Sequence, residues 1–154
     1  MLIIVVSDTH GDTAALLKAL NRQPKAELVI HLGDGAAEID TVKPLFPEKM
    51  FLQVKGNCDF GSTLPDADEY TVSNVKIFYT HGHLYDVKQQ SYKLISAARD
   101  RHAGIVLYGH THHAESLFED GLYIINPGSL RGCGGSYAAI DISDQGILVT
   151  GFKI

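Results

Sequence analysis

Leu2-Ile3-Ile4-Val5-Val6-Ser7-Asp8-Thr9-His10-Gly11 opens the chain, and its two halves ask for different things. Five consecutive aliphatic residues without polar alternation specify a strand buried on both faces, as in a parallel sheet covered by helices. The residues that follow put a carboxylate and an imidazole just past the strand's carboxyl end, where open α/β sheets bind ligands. The same succession recurs. Leu28 to Leu32 reads as a second strand followed by Gly33-Asp34-Gly35, and Phe51 to Val54 as a third followed by Gly56-Asn57. Leu16, Leu17 and Leu20, at helical spacing, predict a helix over about 14–22, with Asp12 or Thr13 as its cap. A weaker helix over about 36–45 must end at Pro44. Strand, helix, strand, helix, strand in this order begins a parallel sheet.

Further along the pattern changes. Tyr70 to Ser73 and Val75 to Tyr79 are separated by Asn74 alone, so they pair as an antiparallel hairpin. A third helix is predicted over 89–101, with Tyr92, Ile95 and Ala98 on one face. Ile105 to Tyr108 is a short apolar strand, and the remainder (116–118, 122–125, 137–142 and 147–152) reads as strand. These elements predict two mixed β-sheets packed face to face with helices outside, in a single domain spanning 1–154. The 154 residues are 45% hydrophobic and 20% charged, which excludes disordered and fibrous classes. A net charge of −5 and the lack of any basic run argue against a protein that lives on nucleic-acid phosphates. The longest apolar run, Leu2 to Val6, falls far short of the roughly 18–20 residues that cross a bilayer. No basic leader or small-residue cleavage site is evident, which predicts a cytoplasmic location and no membrane partner. Two cysteines, Cys58 and Cys133, are too few for a disulfide framework.

Five strand ends thus deliver seven side chains towards one rim: Asp8, His10, Asp34, Asn57, His81, His110 and His112. Crowded carboxylates and imidazoles repel one another or go unsatisfied unless a cation sits among them. An oxygen and nitrogen set of this kind suits manganese, iron, zinc or cobalt better than copper(I) or an iron–sulfur cluster. Seven ligands are too many for one ion that must keep an open position, whereas two ions sharing a carboxylate, about 3.5–4 Å apart, fit the number. An extended backbone would point His110 and His112 to one side. The other histidines invite plainer readings: His31 as a core residue bonded to backbone, His102 at a helix C-terminus, His113 as an exposed neighbour. His83 is either a structural residue or a substrate contact.

The segments Asp8-Thr9-His10, Gly33-Asp34, Gly56-Asn57, His81-Gly82 and Gly109-His110-Thr111-His112 resemble the calcineurin-like metallophosphoesterases. The Asn57-Cys58-Asp59 stretch and the Asn126-Pro127-Gly128-Ser129 loop look most like the small bacterial and archaeal phosphodiesterase branch. The resemblance implies a four-layer α-β-β-α sandwich and a metal-dependent phosphodiesterase acting on a small phosphodiester substrate. It implies that Asp8, His10 and His112 hold one divalent ion and Asn57, His81 and His110 a second, with Asp34 bridging. Manganese is the first choice, with nickel, cobalt, iron, zinc or magnesium as alternatives. A hydroxide between the ions would then attack phosphorus in line. Many relatives carry a histidine after the Gly-Asn pair, where this chain has Cys58 followed by Asp59. The thiol is a poorer general acid than imidazolium, which predicts a preference for diesters with good leaving groups. Cys58 and Asp59 are the candidate catalytic residues, with Asp59 either orienting Cys58 or a ligating histidine or standing as a solvated loop carboxylate. Ser129 and Arg131 either contact a phosphate oxygen or belong to a turn that supports His112. The competing functions are a phosphomonoesterase or nucleotidase and a non-catalytic scaffold. The apolar strands leave room for a homo-oligomer.

Overall fold

The computed structural model describes residues 1–154 and contains ten strands and three α-helices. In chain order they are β1 (Leu2–Val6), α1 (Thr13–Arg22), β2 (Leu28–His31), α2 (Ala36–Val42), β3 (Met50–Gln53), β4 (Ala67–Val72) and β5 (Val75–Thr80). Then follow α3 (Tyr92–Asp100), β6 (Ile105–Leu107), β7 (Glu115–Glu119), β8 (Leu122–Asn126), β9 (Ser136–Ser143) and β10 (Gly146–Lys153). The strands form two five-stranded mixed sheets, ordered β10-β9-β1-β2-β3 and β4-β5-β6-β8-β7. β1, β2 and β3 run parallel, with Ile3 beside Leu28 and Leu28 beside Met50, and β5, β6 and β8 run parallel in the second sheet. The antiparallel β4–β5 hairpin pairs Val72 with Val75. The two-sheet architecture expected from the sequence is the one found.

Each central strand is apolar on both faces because each face meets a different layer. Ile3, Val5, Leu28 and Ile30 point into the space between the sheets, against Ile77, Tyr79, Ile105 and Leu107. Their neighbours Ile4, Val6 and Val29 face outwards onto Leu16 and Leu20 of α1 and Ile39 of α2. On the far side Phe78, Val106 and Ile124 pack against Leu94 and Ala98 of α3. Fully burying an aliphatic side chain stabilises by about 1.5–3 kcal/mol, so these three layers supply most of the driving force.

Two local readings change. The helix begun at Ala36 ends as α-helix at Val42 and finishes as a 3-10 turn over Lys43–Leu45, because Pro44 cannot donate the next backbone bond. In α3 the buried positions are Leu94 and Ala98, while Tyr92 is 76% exposed. The expected Tyr92 face is wrong because that residue opens the helix, before its stripe reaches the sheet. β7 and β10 are edge strands, and β7 is exposed along its whole length. No helix is long and apolar enough to cross a membrane.

Candidate metal centre

The carboxyl ends of β1, β2, β5 and β6 and the loop after β3 converge on one cleft, and all seven expected residues line it. Its floor is buried: Asp8 and His81 are fully covered and Asp34 nearly so. Its rim is open, with Asn57 and His112 exposed. The backbone makes this convergence by an unusual route. Asp8, His10, Asp34, His110 and His112 all have positive φ, between 45° and 67°. His110 and His112 therefore do not project from an extended segment, as the sequence suggested. Left-handed backbone at His110 and His112, on either side of Thr111, fans them apart instead, and they serve different neighbours.

Two groups result. In one, His112 Nε2 lies 3.1 Å from Asp8 Oδ1 and 3.4 Å from His10 Nε2. In the other, His81 Nε2 lies 3.1 Å from Asn57 Oδ1 and 3.2 Å from His110 Nδ1. Asp34 Oδ2 stands between them, 3.9 Å from His10 Nε2 and 3.4 Å from His81 Nε2. Glycines permit the approach. A Cβ on Gly56 would sit 2.0 Å from Asp34 Oδ1 and 2.5 Å from its backbone nitrogen, and one on Gly109 would sit 2.0 Å from Ser7 Oγ.

Each buried group has one polar atom tied to the protein and another left facing the cleft. Asp8 Oδ2 accepts from Ser7 Oγ–H at 2.5 Å and from the His110 N–H at 3.1 Å, leaving Oδ1 facing inwards. Asp34 Oδ1 accepts the Cys58 N–H at 2.7 Å, leaving Oδ2. His81 Nδ1–H donates to the Leu32 carbonyl at 2.7 Å, which turns Nε2 towards the Asp34 carboxylate and the Asn57 amide oxygen. Orientation of a ligand through its second polar atom is how proteins prepare metal sites. Two carboxylates and four imidazoles crowded at such distances suit a cation among them. The donor set of carboxylate, imidazole and amide oxygen suits a divalent ion.

The electrostatics agree. Burial disfavours charge on His81, but Asp34 and Asp8 outweigh it and raise the pKa. Burial likewise opposes ionisation of Asp34, yet His81 and the Cys58 N–H hold its carboxyl well below the usual range. His110 is pushed down to about 4, first by burial and then by the charge of His81. A strongly negative floor surrounded by imidazoles is a field that retains a cation. Cys58 lies exposed at the rim, its pKa raised by its surroundings and by Asp34.

Asp59 hydrogen-bonds neither to Cys58 nor to a histidine. Its Oδ2 accepts the N–H groups of Asp34 at 2.7 Å and Gly56 at 2.8 Å, and its Oδ1 those of Gly35 and Ala36, each at 3.0 Å. It holds together the two loops that carry Asp34 and Asn57. Ser129 Oγ–H donates to the Asp8 carbonyl at 2.9 Å, and Asn126 Nδ2 donates to the Gly109 carbonyl and Thr111 Oγ1. The Asn126–Ser129 loop therefore braces the histidine loop, and Arg131 stays exposed. Of the other histidines, His31 is buried and its Nδ1 accepts the Gly33 N–H, while His83 Nδ1 is buried without a partner. Sequence reasoning missed Ser7 and Glu38. Glu38 accepts from Thr9 Oγ1–H at 3.0 Å and from the Gly11 N–H, tying α2 to the loop that bears His10. Nothing in the local pattern of α2 signals that long-range contact.

Comparison with known proteins gives a consistent picture. The calcineurin-like phosphoesterase superfamily domain matches residues 1–145. The chain is 36% identical to a probable metallophosphoesterase, YsnB, of Bacillus subtilis, over 85% of this chain and 76% of that one. It is 31% identical to a phosphodiesterase of Methanocaldococcus jannaschii, over 86% of each chain. It is 33% identical to the vacuolar protein sorting-associated protein 29 of Schizosaccharomyces pombe, over 86% of this chain and 73% of that one. Among solved structures, a predicted phosphoesterase of Streptococcus pneumoniae superposes with a TM-score of 0.82 at 34% identity, covering 99% of this chain and 88% of the other.

Proposed function

Because the chain belongs to the calcineurin-like phosphoesterase superfamily, we propose that residues 1–154 form one metal-dependent phosphodiesterase domain with a dinuclear centre. Asp8, His10 and His112 hold the first divalent cation, and Asn57, His81 and His110 the second. Asp34 Oδ2, within 4 Å of both groups, is the bridge. Manganese is the preferred ion. Bound cations there would bring the pKa of water towards neutrality and neutralise charge growing on the phosphoryl oxygens.

The chain's own residues do the rest. Asp8 and Asp34, each anchored through one oxygen, fix the negative floor so that no reorganisation is needed when charge shifts. His81, held through Nδ1–H to Leu32, presents its Nε2 to the cleft. Asp59 keeps the Asp34 and Gly56 peptides in place and so sets the distance between the two loops. The reading needs no side-chain nucleophile, and the Cys58 thiol beside His10 and Asp34 has its pKa raised, which disfavours the thiolate. The thiol also supplies no imidazolium to protonate a departing alkoxide, so diesters with good leaving groups are the favoured substrates. The phosphodiesterase named among the relatives points the same way.

The observation that carries this reading is the set of inward-facing carboxylate, imidazole and amide atoms that gathers around Asp34 Oδ2. Elemental analysis of protein purified without added metal, followed by mono- and diester assays with manganese restored, tests it. Diester hydrolysis that appears with manganese and disappears in Asp34→Asn is the expected result. Cys58→His should raise the monoester rate relative to the diester rate, and an unchanged ratio removes the argument from the thiol. The similarity to vacuolar protein sorting-associated protein 29 supports a second reading, a metal-binding scaffold without turnover. It predicts bound cations and no hydrolysis of either ester class.

A further inference from the structure

Phe60 is 91% exposed, more than any other large apolar side chain of the protein. It follows Cys58-Asp59 directly, and it does not swing on a loose loop. The Asp59 carboxylate is held by four backbone N–H groups, and the Ser62 N–H closes a turn onto the Asp59 carbonyl at 3.2 Å. Gly61 takes φ +73° in that turn, which leaves Phe60 at its tip. The ring lines a cleft of about 400 Å³ that runs from His10, Asp34 and Cys58 along the start of α2. The start of α2 lines the same cleft with Ala36, Ala37 and Glu38, and the ring itself stays uncovered. A solitary exposed aromatic is unremarkable by itself. One held on a closed turn, at the mouth of a cleft continuous with the candidate centre, is a preformed stacking surface.

We propose that Phe60 is the platform on which this site holds a planar aromatic arm of its phosphoester, either a nucleobase or an aryl ring. This rests on the phosphodiesterase reading and adds to it the chemical class of one substrate arm. The phosphoryl group lies over the acceptor cluster while the ring of that arm lies against the Phe60 face. Stacking of a base on an aromatic side chain discriminates by roughly tenfold or more and tolerates variation in the ring, because every planar ring has a π-face. Phe60 touches neither acceptor group, so it contributes affinity without altering the cation site.

Calorimetric titration of the manganese-loaded protein with thymidine 5′-phosphate, phenyl phosphate and methyl phosphate tests the assignment without requiring turnover. The wild type should bind at least one of the two ring-bearing ligands about tenfold more tightly than methyl phosphate. Preference for the thymidine ligand identifies a nucleobase at the distance of a deoxyribose, and preference for phenyl phosphate a ring attached directly. Phe60→Ala should lose that preference with its manganese content unchanged, and Phe60→Tyr should keep it. Equal selectivity in wild type and Phe60→Ala, or no ring preference in the wild type, overturns the proposal. Absence of diester hydrolysis alongside an intact ring preference would instead sink the catalytic reading alone.

Discussion

Left-handed backbone at residues other than glycine occurs at two kinds of place in this protein, and they obey different physics. Ser73 and Asn74 turn the β4–β5 hairpin, Asp120 turns β7 into β8, and His102 follows α3. These are exposed turns, where short polar side chains adopt αL at small cost and water satisfies the backbone. Asp8, His10, Asp34, His110 and His112 instead lie at strand ends around one cleft. The backbone cost of each such residue accumulates over five of them, and here it is borne together. The Asp8 N–H donates to the Gly33 carbonyl at 3.0 Å and the His10 N–H to the Asp34 carbonyl at 3.1 Å, so the loops of β1 and β2 are laced to each other. Strain in the turns merely reverses the chain. At the strand ends it aims donor atoms, and neighbouring loops over-determine it.

Asp34→Asn tests that difference most severely. Removing the charge shared by both halves of the cluster should cost roughly 10³-fold or more in diester hydrolysis. Manganese content should fall with it, while His102→Ala, at a left-handed residue outside the cleft, should leave both unchanged. Near-normal turnover and metal content in Asp34→Asn would dissolve the distinction between the two regions.

A matched pair of glycine substitutions sharpens it. Gly56→Ala forces a Cβ to within 2.0 Å of Asp34 Oδ1 and should destabilise the protein by about 3 kcal/mol and displace that carboxylate. Gly121→Ala, at φ +78° with nothing within 4 Å of its Cβ, should cost about 1 kcal/mol. Denaturant midpoints measure the two losses. Manganese affinity should drop in the first variant only, and equal affinities would show that the strand-end loops are not coupled to Asp34.

A smaller effect concerns what lies beneath the cleft. Burial pushes His31 down to about 4 from the ordinary 6.5, despite the nearby charges of Asp59 and Asp8. It is neutral in the folded protein above that value, whereas the unfolded chain takes up its proton below about 6.5. Its contribution is therefore fully present above pH 6.5 and is lost as pH falls towards 4, reaching about 3 kcal/mol. Urea unfolding of metal-free protein at pH 7.5 and 4.5 should show a steeper acid loss in wild type than in His31→Gln. Parallel curves would mean that His31 carries no such penalty.

Much of this is legible in the amino-acid sequence. The run Leu2–Val6 announced a doubly covered strand because each of its faces meets apolar side chains, and the polar residues after each strand announced the rim. What periodicity could not show is tertiary in origin. Asp59 looks like a loop carboxylate in sequence, yet its four backbone partners lie up to 25 residues away. Glu38 on α2 reaches back 29 residues to Thr9, and no local pattern encodes that distance. The fan of His110 and His112 depended on φ, which residue type constrains only weakly for histidine. Tyr92 was misplaced because a helix's first turn need not share the stripe of its middle.

The central claim is a pair of cations on either side of Asp34, and anomalous diffraction from crystals grown with manganese tests it most directly. The account predicts two peaks, one enclosed by Asp8, His10 and His112, the other by Asn57, His81 and His110, with an Asp34 oxygen on both. A single peak, or none while those side chains bond elsewhere, would contradict it.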